Sequence, residues 1–299
     1  MSHPMRRVPS RLPASALIAI LAVAGAHAGC LVRARTPTIR STIVKTATLE
    51  ELSARLRNLD NIKTTRSSVR LQLSVVSEDR KEIKEFSEAG GAILIRKPGF
   101  IRVKAEFPVV GSTVFDMTSD GTEFKVHLPT QERFLVGRNE LTKPSEKRSE
   151  NVRPQHIREA LVIDPPLEGE EIAFLRNVTY SGQAYHVVSI RKTDRPQLAR
   201  EIWFDRVSLH IARQAIYETG GELATDAWYR QWLDTETVPF PGVIQIDRPK
   251  DGYLLRVEVL KPGVNEQVPP KAFVLNPPEG VTVERIGDSS EEEPRAGGQ

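Results

Sequence analysis

The chain predicts a mainly β fold, a strongly curved antiparallel sheet or unclosed barrel with a short helical lid and an apolar cavity. Three features carry that expectation. Ten or more segments alternate apolar and polar residues with period two, the mark of strands with one wet face. Turn signals separate neighbouring segments by only a few residues, which favours antiparallel meanders. Only two segments have helical periodicity, and two short helices cannot cover the apolar side of a flat sheet of this size, so the sheet must curl. A two-sheet sandwich is the alternative left open by this elimination.

The elements follow in order. Thr48 and Glu51 form a capping box, and Leu49, Leu52 and Leu56 fall on one helical face. Val69, Leu71, Leu73 and Val75 alternate with polar residues, and the pattern recurs over 101–107 after the turn Lys97-Pro98-Gly99. Further strands are expected over 113–118, 122–128, 172–180, 185–191, 201–204, 210–218, 225–233, 243–247, 254–260 and 272–275. Ser119-Asp120-Gly121, Ser181-Gly182 and Lys250-Asp251-Gly252 supply turns. The second helix is expected over 154–161, with Pro154 in its first turn and Ile157, Ala160 and Leu161 on one face.

The N-terminus reads as a bacterial export signal over residues 1–29. Arg6, Arg7 and Arg11 precede an apolar run from Ala14 to Ala26, which is well short of the roughly 20 residues a spanning helix needs. The run ends in Ala28-Gly29-Cys30, and Cys30 is the only cysteine of the chain. This junction resembles the bacterial lipobox, in which the cysteine receives a diacylglycerol and an N-acyl group and becomes the new N-terminus. His27 stands where that motif usually has Leu, and Ala26-His27-Ala28 also fits ordinary signal peptidase, so both cleavages remain open. Leu31 is not the Asp that retains lipoproteins at the inner membrane in enteric-type bacteria, which favours the outer membrane. Residues 30–46 are expected to form a tether with a reach of roughly 20–25 Å, 47–286 the folded domain, and 287–299 a disordered acidic tail.

Composition narrows the function. The formal net charge of +3 is accounted for by Arg6, Arg7 and Arg11, leaving 39 basic and 39 acidic residues beyond them. Nucleic-acid binding thereby loses its electrostatic argument. His127, His156, His186 and His210 stand at no metal-binding spacing, and the chain lacks a nucleophile elbow, phosphate loop or nucleotide fingerprint. The expectation is a protein that is not an enzyme and needs no cofactor or metal, although a carboxylate pair assembled by folding stays open.

Longer stretches carry a resemblance. Gly90-Gly91-Ala92-Ile93-Leu94-Ile95-Arg96-Lys97-Pro98-Gly99-Phe100-Ile101-Arg102-Val103, then Ser119-Asp120-Gly121-Thr122 and Phe124-Lys125-Val126-His127-Leu128-Pro129, resembles the LolA/LolB-like lipoprotein carriers. Those proteins share the order strand, "R-x-P-G-x-x-R" turn, strand, "S-D-G" hairpin. Phe273-Val274-Leu275-Asn276-Pro277-Pro278-Glu279-Gly280 resembles their closing "F-x-x-x-P-P-x-G". The similarity spans residues 45–282. It implies an unclosed barrel whose cavity receives lipid or lipoprotein acyl chains, with a soluble LolA-type carrier as partner and a monomeric chain. Phe107-Pro108-Val109-Val110-Gly111-Ser112-Thr113 resembles the LolB "N-P-L-G-S-T" loop, in which a protruding leucine helps insert cargo into the membrane, and Val110 occupies that leucine's place. The other reading makes Val109 and Val110 the buried end of a strand. The chain is longer than LolB, with extra length around 141–149 and in the C-terminal hairpins.

Cavity-lining candidates are Leu73, Ile101, Val103, Phe115, Phe124, Phe204 and Trp228, each of which also reads as ordinary core. A regular strand would place Trp228 and Trp232 on one face and Tyr229 on the other. Two further functions remain in view: an RseB-like envelope-stress sensor, which the same family resemblance admits if a second core exists after Ser181, and a structural envelope lipoprotein without ligand.

Overall fold

A computed structural model describes residues 43–77, 82–140 and 151–286. Cys30, most of the expected tether, the insertion around 141–149 and the tail 287–299 lie outside the described residues.

Helix α1 (Leu49–Leu59) starts at the expected capping box: the Glu51 amide donates to Thr48 Oγ1 (3.2 Å), and the Thr48 amide donates to Glu51 Oε2 (2.7 Å). Its Leu52 and Leu56 are fully buried. Among the described residues fifteen strands follow, with helix α2 (Pro154–Leu161) between the seventh and the eighth. Before α2 come β1 (Thr64–Val76), β2 (Ile83–Glu85), β3 (Ala89–Arg96), β4 (Phe100–Glu106), β5 (Thr113–Ser119), β6 (Glu123–Leu128) and β7 (Arg133–Arg138). After it come β8 (Glu171–Tyr180), β9 (Gln183–Lys192), β10 (Leu198–Asp205), β11 (Ile211–Tyr217), β12 (Leu223–Leu233), β13 (Phe240–Arg248), β14 (Tyr253–Lys261) and β15 (Thr282–Ile286).

All belong to one sheet, in the order β15-β7-β6-β5-β4-β3-β1-β14-β13-β12-β11-β10-β9-β8, with β2 paired to β1. The sandwich alternative is thereby excluded for the described residues. The first strand is central: Leu71 lies opposite Ala89 of β3 on one side and Val257 of β14 on the other. Two antiparallel meanders, β3–β7 and β8–β14, are joined through this seam. The edge strand β15 runs parallel to β7.

One apolar cluster runs along the concave face and includes Leu52 and Leu56 of α1 and Ile157 and Ala160 of α2. The helices are fastened there by polar groups. Lys97 bridges Asp60 after α1 (2.8 Å) and Asp164 after α2 (3.1 Å), and Arg158 of α2 donates to the Pro98 carbonyl. Tyr229 donates to the Ala160 carbonyl (2.7 Å) and Gln214 to the Glu159 carbonyl (3.1 Å), satisfying acceptors in the last turn of α2.

The remaining motif residues are architectural too. Arg102 pairs with both oxygens of Asp116 (2.9 and 2.6 Å) and donates to the Ala272 carbonyl (2.9 Å), while the Thr118 hydroxyl lies 2.9 Å from the Phe273 carbonyl. Phe273 packs on Phe100, and the Arg96 guanidinium covers both rings. Residues 272–275, expected as a strand, are instead a 3-10 turn (Pro270–Phe273) and its extension held on the convex face. Pro269, Pro270, Pro277 and Pro278 remove the amides that a sheet ladder would need. Strands β2, β3, β7 and β15 were absent from the period-two reading. β3 figured there only within the family motif.

A second departure concerns β12. Gln231 takes a φ of 53° and interrupts the alternation, so Tyr229 and Trp232 both pack against the concave core while Trp228 faces the convex side. Gly242 faces this kink, and a Cβ there would come within 2.4 Å of the Gln231 carbonyl oxygen.

The glycine pair opening β3 makes a sharp test of these close approaches. A Cβ on Gly91 would lie 2.0 Å from the Lys104 carbonyl oxygen of β4, whereas one on Gly90 would meet nothing within 4 Å. Gly91→Ala is expected to lower stability in urea unfolding by roughly 1–3 kcal/mol. Gly90→Ala should stay within about 0.5 kcal/mol of the parent.

Candidate functional site

Between the β1–β3 seam, β5–β7 and α2 the concave face is not filled. A cavity of about 290 Å³ opens there. Its floor is made of buried apolar side chains, among them Leu71, Met117, Val126, Leu135, Ile157 and Leu255. Its walls rise through Leu73 and Phe115 to a rim of Phe86 and Phe107, with Ser87, Thr130 and Gln131 as its polar members. None of the described residues lining it is charged.

The rim continues into an exposed loop. The Phe107 amide donates to the Ser112 carbonyl (3.0 Å) and the Gly111 amide to the Phe107 carbonyl (3.0 Å), with Gly111 at a φ of 64°. This closure projects the intervening residues, leaving Val109 96% and Val110 73% exposed. The reading of these valines as a buried strand end is therefore corrected: β4 stops at Glu106. Strand β2, paired to β1, exposes a further apolar side chain, Ile83, at 69%. The β2 signal was missed because Ile83 and Phe86 stand after the charged run Glu78-Asp79-Arg80-Lys81-Glu82, and three residues are too few for a period to register.

The proposed lining residues divide. Leu73 and Phe115 line the cavity. Ile101, Val103 and Phe124 are buried in the packed core and do not reach it, and Phe204 borders a separate depression of about 160 Å³ with Leu59 and Trp232. Trp228 is on the wrong face altogether: it sits among Tyr180, Trp203 and Arg213, whose guanidinium lies 4.8 Å from the Trp203 ring and 5.2 Å from that of Trp228.

A larger cleft, about 570 Å³, lies on the other face of α2, but its walls include Arg153, Arg248 and Asp251. Burying an apolar chain there would strip water from charges without replacing their hydrogen bonds, so the uncharged cavity is the better apolar site. The groups flooring the cleft orient α2. Arg248 donates to Asp251 (2.7 Å), to Thr225 (2.6 Å) and to His156 Nε2 (3.1 Å). A guanidinium only donates, so Nε2 accepts, and Nδ1 carries the proton toward Tyr253 Oη at 3.0 Å. Burial first, and then Arg248 and Arg153, hold the His156 pKa well below its ordinary 6.5. Among the described residues no group of three or more His, Cys, Asp or Glu is placed to hold a metal ion.

No family model and no curated protein matches the chain. Solved structures do. A DUF1329 family protein from Desulfovibrio piger is 11% identical with a TM-score of 0.52, over 75% of this chain and 94% of that one. A LolA superfamily protein from Nitrosomonas europaea is 14% identical with a TM-score of 0.48, over 77% and 99%. A Vibrio parahaemolyticus domain assigned to outer membrane lipoprotein sorting is 11% identical with a TM-score of 0.45, over 74% and 95%. At such identities the likeness concerns the fold alone. The unclosed curved sheet with short helices on its concave side is the fold class that the sequence predicts.

The buried neutral His156 makes a pH prediction. As pH falls below 6.5 the unfolded chain takes up a proton that the folded chain refuses, so stability is lost from pH 6.5 downward until the lower folded pKa is reached. The urea midpoint is expected to fall between pH 7 and pH 5, and less steeply in His156→Gln. The depressed His186 and His210 retain part of the slope.

Proposed function

We propose that the protein is an outer-membrane lipoprotein, anchored through acylated Cys30 and facing the periplasm, that takes acyl chains into the concave cavity and passes lipid or lipoprotein cargo to the membrane. A soluble LolA-type carrier is the proposed donor. The observation that carries this reading is the continuity of an uncharged cavity with an exposed apolar loop: Phe107 lines the rim, and Val109 and Val110 project from the loop it opens.

The energetics suit transfer. Burying a chain gains about 0.8 kcal/mol per methylene, and a bilayer offers the same gain, so cargo moves between two apolar surroundings without a covalent step. We accordingly assign no catalytic residue. Isolated aliphatic side chains at a loop tip can enter the bilayer interface at small cost and bring the rim against the lipid. The sensor reading needs a separate second core after Ser181, and among the described residues β8–β14 continue the same sheet.

The test pairs binding with transfer. Replacing Val109 and Val110 together by Asp should leave binding of a fluorescent fatty acid unchanged while slowing its delivery to phospholipid vesicles at least tenfold. Delivery at the parental rate would contradict the loop's role. Failure of the parent to bind the fatty acid would contradict the cavity's. For the anchor, Cys30→Ser should move the protein from the membrane to the soluble fraction, and continued membrane association would refute acylation as its cause.

A further inference from the structure

The size and lining of the cavity set a limit on what it holds. An apolar cavity of about 150 Å³ accommodates one benzene, six carbons. By that measure about 290 Å³ accommodates about twelve carbons. Two more apolar depressions, of about 40 and 160 Å³, border α1 and Trp232, and neither shares a lining residue with this cavity. They provide no extension for the same ligand.

The distribution of polarity fixes the orientation. The deepest positions, such as Met117, Leu135 and Ile157, are buried and apolar, whereas Ser87, Thr130 and Gln131 are exposed at the mouth and offer neutral donors and acceptors. Among the described residues no lining side chain carries a charge to pair with an ionic head. A chain therefore enters methyl end first and leaves an ester or hydroxyl group at the rim.

We propose that the cavity holds one aliphatic chain at a time, about twelve carbons of it, and that its preferred occupant is a single-chain amphiphile with an uncharged polar head. This rests on the acyl-binding reading above and narrows it: a multiply acylated lipid is held by one chain, with the others left outside.

The experiment is a calorimetric series. The purified chain is titrated with monoacylglycerols of 8 to 18 carbons, and with didodecanoylglycerol. Affinity should rise about fourfold per added methylene up to about twelve carbons, then level off. The two-chain ligand should bind within threefold of its one-chain counterpart. A rise that continues through sixteen carbons, or a gain above tenfold from the second chain, would overturn the proposal. Absence of binding at every length would instead remove the acyl-binding reading, and the proposal with it.

Two variants move the limit in opposite directions. Ala89 lines the cavity on β3, and Ala89→Leu adds three carbons to its wall, so the plateau should shift to about nine carbons. Met117→Ala removes wall atoms, and the plateau should shift to longer chains. A plateau unmoved in both folded variants would show that the cavity does not set the length.

Discussion

An apolar face spread across a single long sheet, with helices of only 11 and 8 residues to cover it, is the constraint from which the rest of the molecule follows. Strand twist gives the sheet its curl, and the curl lets two short helices close most of what a flat sheet would expose. The covering is incomplete. Beside the first half of α2, between the β1–β3 seam and the β5–β7 meander, side chains do not meet across the gap, and the unfilled volume is the cavity. Its apolar lining is the sheet's own core face.

The helices are held by specific polar contacts rather than by packing alone. Lys97 ties the C-terminal ends of both to the turn between β3 and β4, Tyr229 and Gln214 satisfy carbonyls at the end of α2, and Arg248 fixes the ring of His156. Ile157 is thereby fixed in the cavity floor. The rim is built differently: Phe107, Val109 and Val110 belong to a loop closed only on itself. A firm floor beside an exposed apolar rim is the arrangement expected of a site that accepts and releases a chain.

Much of the architecture was legible because periodicity reports which face is buried. Val69 and Leu71, and Ile101 and Val103, alternate in sequence and are buried as that alternation requires. The capping box at Thr48 and the first-turn proline of α2 mark helix starts through local chemistry. Periodicity fails where the backbone departs from it. Nothing in a Trp-Tyr-Arg-Gln-Trp stretch announces a left-handed Gln231, which brings Trp232 to the face of Tyr229 while Trp228 stays on the other. Lining a cavity is harder still to read, because Phe115 and Phe124 have the same chemistry and sit one hairpin apart. Only the three-dimensional curl decides which of them faces empty space. The "R-x-P-G-x-x-R" stretch, which carries the resemblance noted in the sequence, fastens the lid through Lys97.

The motif-bearing turn, the lid and the exposed loop thus converge on one claim, that the concave cavity is a room for an aliphatic chain. Native mass spectrometry of the protein isolated from a bacterial envelope tests it most directly. A population whose mass exceeds that of the chain by one apolar ligand is expected, reduced when a charge is placed in the wall by Phe115→Glu in a variant that still folds. Protein recovered wholly ligand-free, or carrying the same ligand undiminished in the folded variant, would contradict it.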